Sequence, residues 1–161
     1  MIANRERAVI EMLEPYAMAA EGLWGFPAEA VIAHACAATR WLVNIPDRPN
    51  GKSTKALFGD HFRHHEGNTV NMDIPVVYGR SLYGEKYYHT YADSVREYVL
   101  RVFVDYPWAW DELMLNGTEE YFISLPRYVF DTDEIRASIL EVLGKVREVR
   151  GYGRTGEHYS E

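Results

Sequence analysis

The stretch Pro27-Ala28-Glu29-Ala30-Val31-Ile32-Ala33-His34-Ala35-Cys36-Ala37-Ala38-Thr39-Arg40-Trp41-Leu42-Val43 decides the fold. Alanine is the strongest helix former, and Pro27 suits the first position of a helix, so a helix over Ala28 to Val43 is expected. The segment is apolar almost all round. A helix without a polar face has to be surrounded by protein, which makes this one the expected centre of the domain.

The flanking sequence supplies the cover. Val9, Ile10, Leu13, Tyr16 and Ala17 form one helical stripe between Asn4 and Ala20, and Gly22, Gly25 and Pro27 punctuate the turn that follows. Asn44 to Lys55 reads as loop. Between Asn68 and His89 the pattern shortens to alternation, as in Val70, Met72 and Ile74, which predicts one or two small antiparallel hairpins. Helices are expected over Asp93–Tyr106, Trp108–Asn116, Thr118–Leu125 and Asp133–Arg150. The expected class is α+β: a mainly helical domain over residues 1–150 with a small β-hairpin lobe, and a flexible tail over 151–161.

Composition limits the function. The chain has 161 residues, 47% of them hydrophobic and 25% charged, which is enough for one packed core. Its net charge of −7 argues against nucleic acid as a partner, since phosphate binding rests on clustered cations. No apolar run is long enough for a signal peptide or a membrane span, so the expectation is synthesis in the cytoplasm and no membrane insertion. Cys36 is the single cysteine and excludes an intrachain disulfide. In an apolar helix it reads as an inert core thiol. His61 and His65 stand four residues apart beside Asp60 and Glu66. They read either as a metal-binding face or as a solvated polar patch. No cofactor is expected.

Four pieces stand in order along the chain: Ala33-His34-Ala35-Cys36-Ala37-Ala38-Thr39-Arg40-Trp41, then Leu57-Phe58-Gly59, then Tyr88-His89-Thr90-Tyr91-Ala92-Asp93-Ser94, then Arg127-Tyr128-Val129-Phe130-Asp131-Thr132-Asp133. In this order and spacing they resemble the glucosaminidase family of peptidoglycan hydrolases, glycoside hydrolase family 73, of flagellar-muramidase type. That family shows Ala-Gln-Ala-x-x-Glu-Ser-x-Trp-Gly, Asn-Leu-Phe-Gly-Ile-Lys, a β-hairpin lobe, Phe-Arg-x-Tyr-x-Ser, and a Tyr-Ala-Thr-Asp-Pro-like segment. The resemblance covers about Phe26 to Val146 and implies a lysozyme-like fold that cleaves β-1,4 glycan bonds. In place of the family's residues stand His34 for Gln, Ala56 for Asn and Leu42 for Gly.

The largest departure is Ala38, which stands where the resemblance implies the catalytic Glu. Glycoside cleavage needs a proton delivered to the leaving oxygen, and a carboxylic acid with a raised pKa supplies it. Alanine has none to give. Ala38 therefore fits either a disabled Glu→Ala form of a hydrolase or a natural pseudo-enzyme that holds glycan without cutting it. The reaction implied is general-acid catalysis with attack by water, helped by the substrate's acetamido group.

The resemblance also implies a second carboxylate in the hairpin lobe, for which Asp73 and Glu85 are the local candidates, both readable as solvated hairpin charges. It places Tyr128 near the cleft, steadying the cation-like transition state or positioning water; the other reading is a packed Tyr bonded to backbone. Trp41, Phe58, Tyr91 and Arg127 fall along the implied sugar-binding surface; the other reading of Phe58 is ordinary core burial, packed behind the acid position. Glu21, in Glu21-Gly22-Leu23-Trp24-Gly25, imitates the family's Glu but precedes the central helix and is read as a decoy. The implied partner is the peptidoglycan strand, reached by export or within a phage particle. A phage, secretion-system or immunity protein is the alternative partner, for a structural or inactive module.

Overall fold

A computed structural model describes residues 2–48, 50–59, 62 and 87–151. Six α-helices run in order: α1 (Asn4–Trp24), α2 (Ala28–Thr39), α3 (Tyr91–Asp105), α4 (Pro107–Asn116), α5 (Thr118–Ser124) and α6 (Asp133–Arg150). A short 3-10 turn, Arg127–Val129, precedes α6. Among the described residues there is no strand, only an isolated antiparallel bridge between Asp47 and Ser53. The expected hairpin lobe lies outside the described residues except for Tyr87, Tyr88 and His89, which are not in a strand. The α+β class rested on that segment, so the described part of the chain is mainly helical. The tail beyond Gly151 is also outside it.

α2 is the central helix. Among its twelve residues all but Ala38 are buried. α1 and α6 pack along it, Tyr98 of α3 and Phe122 of α5 reach its His34, and Ile10, Phe26, Leu57, Leu125 and Leu143 are among the fully buried side chains of the surrounding core. The α1–α2 junction is tight. Gly25 takes the left-handed conformation at φ 73° to end α1, a backbone state that glycine adopts without strain. The Glu21 carboxylate accepts the Ala28 N–H at 2.8 Å. A carboxylate there satisfies one of the open donors at the start of α2 and faces the positive end of its dipole. Glu21 is thus a cap that joins two helices, which explains its place outside the motif.

α6 closes the domain with three cations. Lys145 meets Glu6 of α1 at 3.0 Å, and Arg150 meets Glu14 of α1 at 2.8 Å. Arg147 holds the buried Glu29 of α2 by two bonds, 2.9 and 2.8 Å, and Glu119 of α5 by two more, 2.7 and 3.0 Å. One guanidinium thereby ties three helices. The hydrogen bonds to Glu29 and Glu119 raise the Arg147 pKa above its ordinary value. The Arg147 bond holds the Glu119 carboxyl below the usual range, against a smaller opposing effect of burial.

A buried carboxylate stripped of its partner is expensive, so Arg147→Met should destabilise the fold by about 3–5 kcal/mol in urea unfolding, with much of the loss recovered when Glu29→Leu is added. The folded-state pKa of Glu119 is depressed. Its contribution is therefore present above the ordinary value of 4.5 and disappears as pH falls through the lower folded value. Melting temperature measured across acid pH should fall more steeply in the native chain than in Arg147→Met.

Candidate functional site at the end of the central helix

α2 stops at Thr39, four residues short of the expected Val43. Three successive non-glycine residues then take left-handed conformations: Arg40 at φ 49°, Trp41 at 60° and Leu42 at 70°. Each costs on the order of 1–2 kcal/mol in an L-residue. Local bonds hold the turn. Thr39 Oγ1 donates to the Ala35 carbonyl at 2.7 Å and accepts the Leu42 N–H at 2.9 Å. The Trp41 N–H reaches the Cys36 carbonyl at 2.9 Å, and the Asn44 N–H the Thr39 carbonyl at 2.8 Å. Arg5 of α1 donates to the Trp41 carbonyl at 3.0 Å. Leu42, the residue in the family's Gly position, therefore stands where the backbone favours glycine.

Ala38 sits in the last turn of α2, half-buried. It follows His34 by four residues and shares its side of the helix. His34 is buried in an aromatic box: stacked on Phe130 at 5.5 Å and edge-on to Phe58, Phe62, Tyr98 and Phe122. Its Nδ1 shares a 2.7 Å hydrogen bond with the Tyr98 hydroxyl, which in turn meets the Tyr121 hydroxyl at 2.5 Å. Burial raises the pKa of both tyrosines, so their hydroxyls stay protonated.

The Leu57-Phe58-Gly59 motif is anchored to α3 by the Leu57 N–H, which donates to Ser94 Oγ at 3.1 Å. Phe58 lies flat on Tyr98, centroids 3.9 Å apart, and is only 2% exposed. Its place is in the core, behind the end of α2. Gly59 has φ 81°, and a Cβ there would come within 2.6 Å of the Asp131 carboxylate. The turn at Gly59 and the segment at Asp131 thus touch, which only a residue without a side chain permits. The sequence pattern quotes Asp131 but gives it no role. Its contact with Gly59 joins two distant motifs and could have been suspected only from the glycine.

The remaining expected residues scatter. Tyr128, on the 3-10 turn, is 64% exposed and its ring packs against that of Tyr106, centroids 6.4 Å apart. Trp41 is half-buried and lines a cavity of about 310 Å³ between the end of α2 and α6, with Arg40, Glu141 and Lys145. The Lys145 ammonium lies 5.8 Å from the Trp41 ring centre. Tyr91 packs edge-on against Tyr16 of α1 at 6.0 Å. Arg127 is exposed and paired with Asp133 at 2.7 Å. Asp73, Glu85, His61 and His65 lie outside the described residues. Among the described residues no cluster of three His, Cys, Asp or Glu side chains is placed to hold a metal. The Cys36 thiol is pushed up chiefly by burial. The core carboxylates are engaged: Glu29 by Arg147, Glu97 by the Tyr88 hydroxyl.

A carboxyl at position 38 would be partly desolvated and would face the negative end of the α2 dipole, and both effects favour the protonated form.

Arg40→Gly removes one strained residue at an exposed position and loses only an exposed pair with Glu134. It should stabilise the chain by about 0.5–1 kcal/mol, the relief of strain exceeding the greater freedom of glycine in the unfolded chain, read as a higher melting temperature.

No protein-family model matches the chain, and no curated protein matches it in sequence. Its fold is similar to that of the glycoside hydrolase domain of FlgJ from Salmonella typhimurium, with a TM-score of 0.62, over 96% of this chain and 95% of that one, at 16% identity. At that identity the likeness establishes a shared fold.

Proposed function

We propose that the chain is a peptidoglycan hydrolase domain of the endo-N-acetylglucosaminidase or muramidase type, in a form that lacks its general acid. The observation that carries the reading is the burial pattern of α2. In a helix otherwise enclosed, position 38 alone is half-open, and it is the position at which the family resemblance calls for Glu. The fold shared with a glycoside hydrolase domain supports the same reading.

In the acid-bearing form, the Glu at position 38 protonates the glycosidic oxygen as the bond to the anomeric carbon breaks. The developing positive charge on the sugar is met by water, with the substrate's acetamido group assisting. In this reading Tyr128, exposed on the 3-10 turn, meets the sugar. Trp41 offers a second aromatic face near the end of α2. The missing proton donor favours a second reading, in which the chain as it stands grips glycan without cutting it, as a binding or structural module of a phage or secretion apparatus.

Restoring the acid separates these. Ala38→Glu should convert an inert protein into one that clears a suspension of purified cell walls, with activity that falls as pH rises through the raised pKa of the new carboxyl. A folded Ala38→Glu variant that still leaves the walls intact would overturn the hydrolase reading. Co-sedimentation of the unaltered chain with those walls would then support the glycan-holding module.

A further inference from the structure

Tyr106, between α3 and α4, is buried, and two exposed aromatic side chains rest on it. Trp108, in the first turn of α4, meets its ring edge-on at 5.6 Å, and Tyr128 meets it at 6.4 Å. Trp108 is 48% exposed and Tyr128 64%. The polar edge of Trp108 is already engaged: its Nε1–H donates to the Ser124 carbonyl at 3.1 Å. Contact with the buried Tyr106 ring seats both exposed rings.

We propose that Trp108 and Tyr128 form a two-ring ledge on which sugar residues of an amino-sugar polymer stack. The inference rests on the glycan reading above and deepens it by adding Trp108, a residue that none of the four sequence motifs contains. Area argues for a sugar over a protein. An aromatic side chain presents about 150–250 Å² when wholly open, so two half-open rings offer on the order of 200 Å². A stable protein interface needs about 800 Å² per partner. The ring face of a pyranose, with its axial C–H groups, matches the smaller figure and needs a flat apolar surface whose orientation is fixed in advance. Beneath the two rings the aromatic core runs on towards α2: Tyr106 touches Phe62 at 6.3 Å, and Phe62 touches His34 at 5.4 Å, one helical turn before Ala38.

The test is calorimetric titration of the whole chain with a soluble β-1,4 hexamer of N-acetylglucosamine. Trp108→Ala should weaken binding about tenfold, Tyr128→Ala by a similar factor, and Trp108→Phe by less than about threefold, since a flat ring remains. Phe103→Ala, which removes an exposed aromatic away from the ledge, should leave binding unchanged. If the native chain binds the hexamer and Trp108→Ala binds it equally well, the ledge is overturned while the glycan reading stands. If the native chain does not bind at all, both fall. Sedimentation velocity adds a third arm: a native dimer that Trp108→Ala renders monomeric would assign the two rings to self-association and overturn the proposal. Should Trp108→Ala fail to fold, Trp108→Phe and Tyr128→Ala carry the same comparison.

Discussion

A helix made of Ala, Val, Ile and Cys has no side that water tolerates, and the architecture is organised around covering α2. The cover is assembled from both ends of the chain: α1 arrives before it and α6 more than ninety residues after it begins, and the two meet through Lys145–Glu6 and Arg150–Glu14. Enclosure has one chemical complication. Glu29 is carried into the interior with the first turn of α2, and Arg147 answers it with two bonds while also reaching Glu119. A charge taken out of water this far is tolerated only with its partner in place.

Enclosure also makes the end of α2 distinctive. A helix covered on all sides can present a reactive group only at its tip, and the tip is where the left-handed run Arg40–Leu42 turns the chain away sharply and leaves position 38 half-open. Strain of this kind persists where surrounding bonds over-determine it. Here Thr39, the Cys36 carbonyl and Arg5 do so. Behind the tip, Phe58, Tyr98 and Phe130 pack about His34.

Much of this was legible in the sequence. Helical periodicity located the six helices of the described residues, and the apolar character of residues 28–37, interrupted only by Glu29 and His34, identified the buried one. The end of that helix was not legible, because Arg40, Trp41 and Leu42 are ordinary helix formers by propensity, and the tertiary bonds that force them left-handed involve Arg5, far away in sequence. Motif order singled out position 38 and Tyr128 and set Phe58 and Tyr91 along the sugar surface, with core burial as the other reading of Phe58; the structure packs Phe58 on Tyr98 and Tyr91 on Tyr16. Aromatic residues serve cores and ligands equally well, so spacing alone does not sort them. The contact of Gly59 with Asp131 and the seating of Trp108 on Tyr106 join segments with no shared local pattern.

The lateness of α6 in the chain has a consequence for biosynthesis. During N-to-C synthesis, α1 and α2 can form a local hairpin early, tied by Glu21 to the Ala28 N–H. The counter-charge for Glu29 lies 118 positions downstream. Until α6 clears the ribosome, the nascent hairpin must keep that carboxylate hydrated and so cannot close over its own apolar surface. Completion of the core is thereby postponed until α6 is free to bring Arg147 to Glu29.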